Sequence, residues 1–149
     1  GPNAFALPGG TIVMTDALVE AFPDDDTLAA VLAHEIGHVV EQHGLRQVYR
    51  SLSVYVIVAL LAGDVGPVLE DILLEGSLFV SLAYSRAHES AADRFAVRLS
   101  REAGYDPAAL ARFFEELEAR FGAGPPAWLS THPVPGDRAA EILQLIENP

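Results

Sequence analysis

Residues 34–43 read HEIGHVVEQH, and no other stretch limits the chain's fold and chemistry as tightly. Three histidines and two glutamates are crowded into it. On a helix, His34 and His38 lie about one turn apart on the same face, so two imidazoles can grip a single ion. Glu35 lies about 100° further round that helix. From there its carboxylate reaches a water on the ion without ligating the ion, and can take the water's proton during attack on a carbonyl. The helix itself is legible. Leu28, Val31, Leu32, Ile36, Val39 and Val40 recur at helical spacing, which predicts a helix from Thr27 to Gly44 or beyond. The plainer reading, a polar helix face rich in histidine, leaves the spacing of His34, Glu35 and His38 unexplained.

A catalytic zinc takes three protein ligands and keeps one position open. His43 follows His38 by five residues, about 140° away on a continuous helix. The longer pattern HExxHxxGxxH would need glycine where the chain has Val40 and histidine where it has Gly44. His43 is therefore expected at the surface. The better third ligand is Glu89, in SRAHESAAD. Glu89 and Asp93 share a helix face. One carboxylate can bind the ion while the other holds a ligand histidine by its remaining N–H. The plainer reading is a solvated acidic face paired with Arg86 and Arg94. His88 is expected to point elsewhere.

The rest of the chain reads as one mostly helical domain. Its 149 residues suffice for a core. Residues 3–15, NAFALPGGTIVMT, form two short extended pieces around a Pro-Gly-Gly turn. The acids of PDDDT suit a helix N-terminus. A later helix carries SRAHESAADRFAVRLSREAG and ends at Gly104. Asp106 and Pro107 open another that runs through Arg120, and a last helix ends near Ile146. Between them, GAGPP and STHPVPGDR read as loops, the second stiffened by Pro133 and Pro135 around His132.

Residues 52–84, from Leu52 to Tyr84, are the most apolar part. Their centre, VYVIVALLAG, falls short of the roughly 20 apolar residues that span a bilayer. Asp64, Gly66 and Pro67 interrupt the stretch, so two helices joined by a loop are expected. The apolar content exceeds what the core needs, which predicts contact with a membrane, a sister subunit or further native segments. The net charge is −12, and the nine basic residues are scattered arginines, which excludes a nucleic-acid partner. There is no cysteine. Gly1 and Pro2 read as the scar of a cleaved expression tag. Residues 3–149 are then a single catalytic domain, a fragment of a longer protein.

HEIGH followed by SRxxExxAD (Ser85, Arg86, Glu89, Ala92, Asp93) resembles the gluzincin metallopeptidases of the HtpX-like and CAAX-prenyl-protease-like family. NAFALPGG is similar to that family's NAxxxPGG segment, and STHPVPGDR to its THPxxxxR segment. The four pieces lie in family order across almost the whole chain. The resemblance implies an α+β, mainly helical metallopeptidase domain with a small β hairpin or sheet beside the active-site helix. It implies one Zn2+ per chain on His34, His38 and Glu89. It implies Glu35 as catalytic base and acid, and Asp93 behind the ligands. His132 would stabilise the oxyanion or fill the fourth coordination site when substrate is absent, and Arg138 would support His132. The first of these His132 roles is the expected one, because the charge develops in every turnover. Asn3, Ala4, Phe5 and Ala6 would form the cleft rim and pair with an extended substrate, as sheet edges do.

The likeness runs most closely to soluble bacterial proteases that police envelope and outer-membrane protein assembly. It implies polypeptide substrates and a place in the bacterial cell envelope, periplasmic or membrane-associated. The chain departs from the family in lacking the strand before NAxxxPGG and membrane spans between HEIGH and Glu89. A rival reading is a zinc-containing chaperone-like or binding module with latent peptidase activity. Glu35 argues against it, since a structural site has no use for that carboxylate. Prenyl-protein processing needs a membrane-enclosed chamber, for which the chain is too short.

Overall fold

The computed structural model describes residues 1–63, 66, 70, 84–121, 132 and 137–148. Strand β1 (Ala4–Ala6) pairs antiparallel with β2 (Ile12–Met14), in the register Ala4↔Met14, Phe5↔Val13, Ala6↔Ile12. The expected Pro-Gly-Gly turn joins them, with Gly9 and Gly10 both at positive φ. Thr15 ties the open end of the hairpin. Its hydroxyl accepts from Asn3 N at 2.9 Å and from Leu18 N at 3.3 Å, so it also caps helix α1 (Asp16–Ala21). Helix α2 (Asp25–Val40) starts where the acids predict. Asp24 accepts from the backbone N–H and the hydroxyl of Thr27, both at 2.9 Å.

The helix does not continue to Gly44. It ends at Val40, and Gln42 adopts a left-handed conformation with φ 56. A separate helix, α3 (His43–Ala62), begins immediately after it. Helix α4 (Arg86–Ala103) is capped by Ser85, which accepts from His88 N at 3.3 Å. It stops at Gly104, whose φ of 84 few other residues tolerate. Helices α5 (Ala109–Phe121) and α6 (Arg138–Glu147) complete the described fold. The α+β, mainly helical class holds. Residues 64, 65, 67–69 and 71–83 of the apolar stretch, the GAGPP segment, and Pro133 and Pro135 lie outside the described residues.

The core forms where α2, α4, α5 and α6 meet, around Leu18, Val31, Val97, Leu110, Phe113 and Ile142. Helices α2 and α4 pack tightly at Gly37. A Cβ there would stand 3.1 Å from Ala92 Cα and 3.3 Å from Ala92 O, closer than side chains pack. That crossing brings the middle of HEIGH against the helix carrying Glu89. Helix α3 behaves differently. Val54, Val56, Ile57, Leu60 and Leu61 are all exposed, Leu61 by 84%, while Ala59 is buried. Among the described residues, no helix is long and apolar enough to cross a membrane.

Candidate metal centre

His34 and His38 project from one face of α2, as their spacing requires, with their Nε2 atoms 3.0 Å apart. Glu89, in the first turn of α4, brings Oε2 to 3.5 Å from His34 Nε2 and Oε1 to 3.4 Å from His38 Nε2. His132 arrives from 98 residues further along the chain. Its Nδ1 lies 3.4 Å from His34 Nε2 and 3.3 Å from Glu89 Oε1. These four side chains form a buried donor cluster able to hold a metal ion, with ligand atoms within 4.8 Å of one another. The spacing fits zinc. Bonds of about 2.0 Å to a tetrahedral ion place neighbouring donors roughly 3.3 Å apart, close to the 3.0–3.5 Å separations found here.

The residues behind the donors are equally ordered. His34 Nδ1 lies 3.0 Å from Asp93 Oδ1, which fixes the proton on Nδ1 and points the Nε2 lone pair into the cluster. Arg138, at the start of α6, grips Asp93 with two contacts, Nε to Oδ2 at 2.9 Å and Nη2 to Oδ1 at 2.7 Å. Its Nη1 is 2.8 Å from Glu89 Oε2, and its guanidinium lies 4.4 Å from the Phe114 ring centroid. Arg138 was expected to support His132. It reaches that residue through Glu89, the carboxylate beside His132 Nδ1.

Glu35 is fully buried and outside the donor set. Its Oε1 is 3.2 Å from His132 Nε2, yet neither oxygen accepts a hydrogen bond of good geometry among the described residues. Among the described residues the cluster gathers three carboxylates, Glu35, Glu89 and Asp93, around the guanidinium of Arg138, a formal excess of two negative charges with the histidines neutral. A divalent cation offsets that excess. The ionisation of the groups shows the same demand. Burial alone would lower the His34 pKa, but the Asp93 and Glu89 carboxylates outweigh it and raise it to about 9. Burial would raise the Glu89 pKa, but His132 and His34 hold it well below the carboxylate range. Burial, and then the neighbouring His34, drives His38 strongly the other way, towards its neutral form.

One expectation fails here. His43 is not a surface residue. It is 2% exposed, and its Nδ1 lies 3.0 Å from His38 Nδ1. Burial and the adjacent His88 lower its pKa to about 4. His88 stays outside the donor set, and its ring stacks on His43 with centroids 4.2 Å apart and planes at 18°. The cause lies in the backbone. On an unbroken helix His43 would swing clear of His38, but the left-handed turn at Gln42 returns it beneath that ring. Tyr84 was also missed. It stacks on His38 at 3.9 Å, and burial raises its hydroxyl pKa to about 12. No signal in the sequence marks it.

The β1 edge is narrower than expected. Thr15 N donates to Asn3 O, and Leu7 N donates to Thr11 O. By antiparallel alternation the backbones of Asn3, Phe5 and Leu7 face β2, and those of Ala4 and Ala6 face away. Ala4 is fully buried, whereas Ala6 is partly exposed. Ala6 also borders a cleft of about 240 Å³ lined by Pro8, Gly10, His38, Val39 and Tyr84 among others.

Two histidine donors one helical turn apart, a glutamate donor from a second helix and a carboxylate just outside the set are the parts of a zinc metallopeptidase. The profile of Peptidase family M48 matches residues 1–146. The putative beta-barrel assembly-enhancing protease of Vibrio cholerae is 34% identical over 151 residues, covering 93% of this chain and 31% of that protein. The beta-barrel assembly-enhancing protease of Escherichia coli is 32% identical over 151 residues, with the same coverage of 93% and 31%. The mitochondrial metalloendopeptidase OMA1 of Arabidopsis thaliana is 34% identical over 141 residues, covering 95% of this chain and 28% of that protein. The chain belongs to Peptidase family M48, whose metallopeptidases are zinc-dependent. It spans less than a third of the length of these relatives.

Proposed function

We propose that residues 3–149 are the catalytic domain of a zinc endopeptidase that cuts unfolded or misassembled polypeptides of the bacterial cell envelope. The observation that carries the chemistry is Glu35, a buried carboxylate beside the donor set and outside it. His34, His38 and Glu89 are the ligands, and Asp93 and Arg138 hold His34 and Glu89 in place. Zinc, when bound there, supplies a Lewis-acid charge that acidifies water and polarises a carbonyl. Glu35 takes a proton on its carboxylate as water adds to the scissile carbon, and returns that proton to the leaving amine. His132, with Nδ1 against His34 and Glu89, stands where a fourth ligand would stand in the substrate-free enzyme.

Substrate enters as an extended strand along β1. Ala6 offers its outward N–H and C=O, and a side chain next to the scissile bond enters the cleft beside His38. Names of the relatives support the envelope setting, since two of them enhance beta-barrel assembly. The exposed apolar face of α3 supports association with a membrane or a sister subunit.

Glu35→Gln tests the mechanism. The variant retains one zinc per chain by metal analysis and loses about 10²–10⁴-fold in casein hydrolysis, whereas Glu89→Ala loses tight zinc binding. Cleavage by Glu35→Gln at the wild-type rate would overturn the assignment. An inactive, zinc-loaded wild-type domain would favour the binding-module reading.

A further inference from the structure

His34 and His38 are held differently. His34 rests its Nδ1 on a carboxylate, Asp93. The corresponding atom of His38 rests on another histidine. His43 Nδ1 lies 3.0 Å from His38 Nδ1, a contact between two buried rings. One of these nitrogens must donate and the other accept. If His38 turns its Nε2 lone pair towards the donor cluster, its proton sits on Nδ1. His43 then accepts at Nδ1 and carries its own proton on Nε2.

The surroundings fix His43 in that position. The left-handed backbone at Gln42 ends α2 and starts α3 with His43 directly beneath His38. A glutamine in that conformation costs roughly 1–2 kcal/mol, so the turn persists because surrounding contacts hold it. His88 stacks on the far side of His43 at 4.2 Å, and Tyr84 stacks on His38 at 3.9 Å. Both rings of the pair are therefore clamped in plane as well as joined edge to edge.

We infer that His43 is a positioning residue that sets the tautomer and ring orientation of His38, and through His38 the strength with which the centre holds zinc. This rests on the zinc-centre reading above. A neutral partner also has a consequence that a carboxylate lacks. A carboxylate partner raises the basicity of a ligand histidine. His38 is consequently the weaker of the two histidine ligands, and the buried charge excess stays at two.

The test uses the zinc-loaded domain. In wild type, nitrogen NMR of labelled histidines should show His38 with a protonated Nδ1. It should also show a scalar coupling across the hydrogen bond between His38 Nδ1 and His43 Nδ1. His43→Phe keeps a ring for His88 to stack on but removes the acceptor. It should weaken zinc binding about 10–100-fold in chelator competition and leave the His38 tautomer unfixed. His43→Asn, whose Oδ1 falls near the lost Nδ1, should recover most of that affinity. Wild-type zinc affinity in His43→Phe, or no coupling in the wild-type protein, would overturn the inference. Failure of the underlying reading looks different, because the wild-type domain itself would then not bind zinc.

Discussion

His132 joins the centre across the longest stretch of chain, and it is fully buried. Its two nitrogens face two tasks. Nδ1 lies among the ligand atoms, and Nε2 lies 3.2 Å from the Glu35 carboxylate. The sequence leaves His132 as oxyanion stabiliser or fourth ligand, leaning to the first; we propose that it also acts as a lock, since its Nδ1 lies among the ligand atoms. With His132 in the fourth position, the reacting water is kept out, and turnover requires the ring to withdraw. With an open state populated to roughly 10%, His132→Ala should raise hydrolysis of a short unstructured peptide about tenfold. Zinc content by metal analysis stays nearly unchanged, because three ligands remain. A fall of about 10²–10³-fold in kcat would instead show that the ring's main work is on the oxyanion.

Two single residues, one within α2 and one just after it, decide whether the helices form a centre. One is Gly37. Replacing it with alanine should gain about 1 kcal/mol of helix propensity, but the new methyl meets the backbone of Ala92, which cannot rotate aside. Overpacking of this kind costs about 1–3 kcal/mol, so Gly37→Ala should lower stability by about 1 kcal/mol. It should also weaken zinc binding, because Glu89 rides on the helix that is displaced. A higher Tm with unchanged zinc affinity would refute that account. The other feature is Gln42, and it explains how far the sequence could be read. His34, Glu35 and His38 were legible because a helix repeats locally, so spacing alone places them together. Glu89, Asp93 and His132 were legible through their motifs. His43 and His88 were not, because glutamine gives no sign of a left-handed turn, as glycine or asparagine would. Gly37 was passed over for the opposite reason. A glycine inside a helix reads as a weakness until the neighbouring helix is in place.

At the scale of the whole molecule, one helix face among the described residues stands out as apolar. The chain carries a net charge of −12, yet α3 presents Val54, Val56, Ile57, Leu60 and Leu61 to solvent without a charged residue among them. Attraction of the molecule as a whole to anionic lipid is unfavourable, so any membrane contact through this face is hydrophobic and survives salt. The domain should float with neutral liposomes or sediment above its monomer mass, and Leu60→Glu with Leu61→Glu should abolish whichever occurs with little change in Tm. A wild-type domain that stays monomeric and ignores lipid would refute this. The last consequence concerns the order in which the molecule is put together. All five histidines of the chain meet in one connected set of rings. In the unfolded chain the same rings compete for metal, and zinc binds them there too. Loop-closure entropy separates the correct His34–His132 pairing from a wrong one such as His43–His88 by only about 0.7 kcal/mol. Zinc that arrives early is therefore easily caught by the wrong partners. Refolding from denaturant with zinc already present should be slower, and lower in yield, than refolding in chelator with zinc added afterwards. Equal rates and yields by either route would show that the fold sorts its ligands before any ion can.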